Sequence, residues 1–81
     1  MAINMESGFE IFRFSDSNYD EITVEIQFNG EQIAQLNKDK GLQFIEIEFF
    51  SDFIEPNFIP KFLMKDFLMV LNEAQRLLEN S

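Results

Sequence analysis

Eighty-one residues without a cysteine or a histidine specify one domain that must hold together by packing alone, because disulfides, thiolate or imidazole chemistry and the usual zinc or iron ligand sets are all excluded. Eleven phenylalanines within an apolar share of 46% supply a core, and three glycines and two prolines are too few for a disordered chain. Fifteen acidic residues against six basic ones leave a formal charge of −9, a field that repels nucleic-acid backbones and anionic membranes and draws in a basic macromolecule.

Residues 1–8 lack the basic and apolar regions of a signal peptide and read as a flexible lead-in to a single domain over residues 9–81. No apolar run approaches the ~20 residues that span a bilayer, so a cytoplasmic protein without membrane contact is expected. Phe9–Phe14 is short and aromatic, as a strand would be, and Ser15–Asp20 is a cluster of turn formers. Ile22, Val24, Ile26 and Phe28 then alternate with Thr23, Glu25 and Gln27, the period of a strand with one apolar and one polar face. Asn29-Gly30 is the preferred pair for a two-residue type I′ turn, which predicts an antiparallel return over Glu31–Asn37 burying some of Ile33, Ala34 and Leu36.

A second polar turn, Asn37–Gly41, leads into an expected strand over Leu42–Phe50. Its alternation sets Ile45, Ile47 and Phe49 on one face and Glu46 and Glu48 on the other, with Phe44 and Phe50 beside the acids if the strand is regular. Ser51–Pro60 is an irregular connection, since Pro56 and Pro60 resist both ladders and helices. From about Met64 the period lengthens, and Phe67, Leu68, Leu71, Ala74, Leu77 and Leu78 form a stripe at helical spacing. The economical assembly is α+β: about four antiparallel strands in ββββα order, with one C-terminal helix packed on one face.

Little catalytic chemistry is available to such a chain. Carboxylate pairs are the remaining acid–base candidates, and one sheet with one helix offers scant concave volume, so the chain reads as a non-enzyme. Asp16-Ser17-Asn18-Tyr19-Asp20 begins like a calcium loop, yet Glu21 stands where glycine is required and Gln27 where a bidentate glutamate would close the site. No metal and no cofactor is expected. Phe12, Phe14 and Phe44 suggest a base-stacking platform, but Glu10, Glu46 and Glu48 beside them would repel a nucleic-acid strand, and core packing is the simpler role.

The acids themselves remain. Asp16, Asp20, Glu21 and Glu25 cluster early; Glu46, Glu48, Asp52 and Glu55 cluster late. If the strands are neighbours, Glu25, Glu46 and Glu48 share the outer face of the sheet, with Tyr19, the one tyrosine, as an aromatic anchor beside them. Carboxylates so arranged can mimic phosphates and fill the basic cleft of a nuclease. The same residues would serve equally well as solvated charges that guard strand edges against aggregation.

The stretch Ile22-Thr23-Val24-Glu25-Ile26-Gln27-Phe28-Asn29-Gly30-Glu31-Gln32-Ile33-Ala34-Gln35-Leu36-Asn37 resembles the small bacterial immunity proteins of contact-dependent growth inhibition and related polymorphic toxin systems. The closing run Phe62-Leu63-Met64-Lys65-Asp66-Phe67-Leu68-Met69-Val70-Leu71-Asn72-Glu73-Ala74 is similar to their terminal helix, with Leu63 where the family carries a proline. The resemblance implies a cytoplasmic protein that neutralises a cognate toxin by binding its C-terminal domain, often a nuclease, and it carries over no catalytic residue. A phage-encoded inhibitor of a host defence nuclease, of the anti-CRISPR type, would share this size, charge and lack of chemistry. A non-catalytic homo-oligomeric assembly subunit is the alternative of a different class.

Overall fold

The computed structural model describes residues 2–81; Met1 of the expected lead-in lies outside them. Five antiparallel strands form one sheet whose spatial order is the chain order: β1 (Ala2–Asn4), β2 (Phe9–Phe14), β3 (Thr23–Phe28), β4 (Glu31–Asn37) and β5 (Glu46–Phe49). A 3-10 turn over Leu42–Phe44 precedes β5, and the helix α1 (Met64–Glu79) follows it. The α+β architecture and the C-terminal helix agree with the sequence reading, with one strand more than expected.

Residues paired across antiparallel strands point to the same side, so the register sorts side chains into two faces. On the inner face Phe9 and Ile11 of β2 pair with Phe28 and Ile26 of β3, and Ile26 and Val24 pair with Ala34 and Leu36 of β4. The helix lies over β2, β3 and β4, where its Val70, Ala74, Leu77 and Leu78 complete the buried core. Phe9 is the buried ring of the aromatic cluster, with the rings of Phe28, Phe62 and Phe67 centred 5.0, 4.9 and 6.0 Å away.

The β3–β4 hairpin turns on Asn29 and Gly30, whose φ values of 47° and 85° are both positive, as a type I′ turn requires. Beyond the turn the register slips, because Ala34 pairs with Ile26 while Gln32 pairs with Gln27. Ile33 is left unopposed as a bulge residue, and both Ile33 and Ala34 are buried. The two-residue turn itself sets Glu31 opposite Phe28, on the inner face. There its carboxylate is buried and accepts the backbone N–H groups of Ile54 and Glu55 at 2.7 and 2.9 Å, which pins the irregular connection between β5 and α1. At the other end of β4, the Lys38 ammonium donates to the carbonyl oxygens of Leu78 and Ser81 at 3.2 and 2.6 Å. A cation there meets the negative end of the helix dipole.

Three expectations need correction. The lead-in is not free: Ala2–Asn4 pairs with Phe12–Glu10, which sets Ile3 against Ile11 at the core margin, and three residues are too few for their period to show in the sequence. The strand expected over Leu42–Phe50 keeps only Glu46–Phe49. Gly41, at φ 106°, leads into the 3-10 turn, and Phe44 is exposed there and packs in no core. The helical stripe departs at one position. Phe67, Leu71, Ala74, Leu77 and Leu78 are buried or half-buried against the core, whereas Leu68 is exposed and Val70, outside the expected stripe, is fully buried.

Candidate binding surface

The outer face of the sheet is built from the alternate residues of the same strands. One row crosses it as Phe12, Glu25, Gln35 and Glu48, from β2 to β5. Glu25 and Glu48 thus flank Gln35, and Glu46 lies on the same face of β5, the arrangement anticipated from the alternation. Glu25 does not present its charge to a partner, however. It is only 7% exposed, and its carboxylate accepts the side-chain amides of Gln27 and Gln32 at 2.5 and 3.3 Å. Its role is to knit β3 to the start of β4, so it leaves the binding set.

The loop between β2 and β3 is drawn down onto this face by polar contacts. Gln35 donates to Asp16 Oδ2 and to Thr23 Oγ1, each at 3.0 Å, and Thr23 in turn donates to the carbonyl of Phe14 at 2.8 Å. Asp16 also accepts the N–H of Asn18 in an Asx turn, and that bond, with the Gln35 amide, holds its carboxyl below the ordinary range. The segment that resembled a calcium loop thus spends its first carboxylate on its own backbone and on β4. Asp39, from the β4–β5 loop, accepts the N–H groups of Asp20 and Glu21, both at 3.1 Å, and ties the two loops together.

Tyr19 extends from the same loop and donates to Glu48 Oε1 at 3.3 Å. Its partial loss of solvent, with the Glu48 carboxylate beside it and Asp16 and Glu46 near, pushes the phenol up from its ordinary value. Glu46 pairs with Lys40 at 2.9 Å; this bond lowers the Glu46 carboxyl and raises the Lys40 ammonium. Both side chains are solvated, so the pair contributes little to stability.

Asp16, Tyr19, Asp20, Glu21, Glu46 and Glu48 therefore gather at the loop end of one face. Asp52 and Glu55 do not join them. They follow β5 toward the opposite end of the sheet, where the Glu55 N–H sits on Glu31 at the start of β4. Asp52 lies four residues beyond Glu48, at most about 13 Å from it at about 3.3 Å per residue, so the two acidic groups are offset along β5 and do not share the loop end. Chemically, the gathered face is rich in acceptors, its donors Tyr19, Gln35 and Lys40 being already turned to its own carboxylates or to Thr23, which suits a basic protein surface.

A second feature was not legible in the acid pattern. The helix lies mainly over β2 to β4 and meets β5 where Phe67 stacks on Phe49 at 6.5 Å, so Ile47 and Phe49 on the inner face of β5 stay largely open to solvent, Phe49 at 62% exposure. A groove of about 370 Å³ runs between β5 and α1, lined mostly by apolar side chains, among them Leu36, Ile47, Phe49 and Leu71, with Gln43 and Gln75 the polar exceptions. Phe49 also borders the adjoining hollow of about 250 Å³, beside Phe67 and Met64. Met64, Leu68 and Leu71 fall on one helical stripe above this groove, and that is the place of the exposed Leu68. The only hint in the sequence was the length of the apolar alternation in β5, which says nothing of how far a helix reaches.

Among the described residues no helix is long and apolar enough to cross a membrane. Compared with known proteins, the chain matches no family model, no curated sequence and no solved structure.

Proposed function

We propose that this chain is a binding protein that neutralises a basic partner enzyme, in the manner of a bacterial immunity protein facing a toxin nuclease. The observation that carries the reading is the junction of Tyr19 with Glu48, which gathers Asp16, Asp20, Glu21 and Glu46 into one acidic face around a lone aromatic side chain. Complementary charge accelerates encounter with a basic cleft, and a tyrosine at the centre of such a patch is a favoured anchor. The chain supplies no catalytic step in this reading: its part is to occlude, and its partner's reaction is what it stops. The open apolar groove beside β5 supplies the dehydrated contact area that charge alone does not.

The test is co-purification from the native host, followed by binding and activity assays on the captured enzyme. A basic enzyme that loses activity when bound, and whose affinity falls about tenfold or more on raising the salt or on the triple reversal Asp20→Lys, Glu21→Lys, Glu48→Lys, supports the reading. Affinity indifferent to both salt and charge reversal would sink it.

A further inference from the structure

We propose that the free edge of β5 is a strand-addition site for an extended segment of a partner protein in which basic and apolar side chains alternate. This inference rests on the binding role proposed above and names the chemistry of the partner at that same surface.

Three observations converge on it. First, β5 ends the sheet and is paired on one side only, with β4. Phe50 N–H bonds to Ile33, so the alternation along the strand turns the N–H and C=O groups of Ile47 and Phe49 toward the open edge. Second, the two faces of that edge differ in character. Glu48 and Glu46 stand on the outer side, while Ile47 and Phe49 stand on the inner side above the groove of about 370 Å³ that α1 leaves uncovered. An added strand has the same period of two, so every second side chain would lie beside the carboxylates and the others would enter the groove.

Third, the edge is built against a second copy of itself. Two antiparallel registers keep the apolar faces of both copies on one side and overlap by three residues of the strand. Centring the pair on Ile47 sets Glu46 opposite Glu48 twice, and centring it on Glu48 sets Glu48 opposite Glu48. Like charges directly opposite one another destabilise a pair of strands, and the net charge of −9 adds long-range repulsion. A strand carrying lysine or arginine at the outer positions removes that penalty and replaces it with attraction. The edge at β1 is less suited: its three described residues carry no acid, and the hollow of about 510 Å³ beside it mixes Asp66 and Glu73 with Ile3, Met5 and Met69, so it lacks the division into an acidic outer side and an apolar inner side.

The probe is a lysine–valine octapeptide with the two residues alternating, compared with a peptide of the same composition arranged in two blocks. Both are titrated into the isotope-labelled full chain, with amide exchange read residue by residue. The alternating peptide is expected to bind about tenfold more tightly than the blocked one and to slow exchange at the Ile47 and Phe49 amides. Ile47→Pro removes an outward N–H and no internal bond, so it should abolish the preference, while Ile47→Val should keep it. Should Ile47→Pro fail to fold, protection of Ile47 and Phe49 in the unaltered chain decides alone. Equal affinity for the two peptides, or protection appearing elsewhere, overturns strand addition and leaves the acidic-face reading standing. Binding of neither peptide overturns both.

Discussion

Tyr19 lies over the outer face of the sheet and donates to Glu48 Oε1 at 3.3 Å, across 29 residues of sequence. With no tryptophan and no second tyrosine in the chain, this one phenol can be titrated by its ultraviolet absorbance without interference. Its pKa in the folded protein lies above the ordinary 10.0, through partial burial and the adjacent carboxylate. We expect Glu48→Gln to bring the titration back toward 10.0 and Phe44→Ala to leave it alone. The sign for stability follows from the direction of the shift. The bond contributes fully below pH 10.0 and is lost as the pH rises through the folded value.

Acid should loosen the same face from the opposite direction. Asp16 and Glu46 titrate below their ordinary values of 3.8 and 4.5, held down by the Asn18 N–H and by Lys40. Their contributions are therefore complete above those values and fade as the pH falls through the lower folded ones. Denaturant midpoints measured from about pH 5 down to about pH 3 should decline, and Asp16→Asn should flatten the slope.

Glu31 is expected to matter more for stability than any acid on the binding face. Glu31→Ala strips the Ile54 and Glu55 N–H groups of their acceptor and should cost about 1–3 kcal/mol, read as a lower melting temperature. The same segment should become the first site of proteolytic cleavage. Glu55→Ala, which removes only a solvated carboxylate, should stay within about 0.5 kcal/mol.

The core gives a test of helix phase. Phe9→Ala removes the ring at the centre of the Phe28, Phe62 and Phe67 cluster and should cost about 3–5 kcal/mol, a large part of the ~5–15 typical of a domain. On α1, Val70→Ala should cost about 2 kcal/mol, whereas Leu68→Gln should change stability by less than about 0.5 kcal/mol. A reversed order of the last two would mean that Leu68, and not Val70, faces the core.

What the sequence disclosed and what it hid divide along physical lines. The hairpin was legible because Asn29-Gly30 states a backbone requirement, positive φ at both positions, that few other pairs meet. The helix and most of its inner face were legible because its apolar period runs for 16 residues, yet the choice between Leu68 and Val70 was not, since both are apolar and only the position of the sheet decides. Glu25 and Glu31 are charged residues in polar-looking positions, and nothing local announces that Gln27 and Gln32, or two distant N–H groups, will enclose them. The binding face was half legible. Strand alternation placed Glu46 and Glu48 together with Glu25, but the separation of Asp52 and Glu55 depends on which way β5 runs.

The agreement of strand order with chain order has a bearing on how the molecule assembles and where it gives way. Each strand pairing closes a short loop, so the sheet can grow outward from the β3–β4 hairpin one neighbour at a time, without a large entropic hurdle at any step. Only the helix must return from farther along the chain, through the connection that Glu31 holds. Growth in that order leaves β1 and β5 joined last and opening first, while β3 and β4 share the fate of the whole domain. The edge offered to a partner strand is thus also the part of the sheet that breathes most freely.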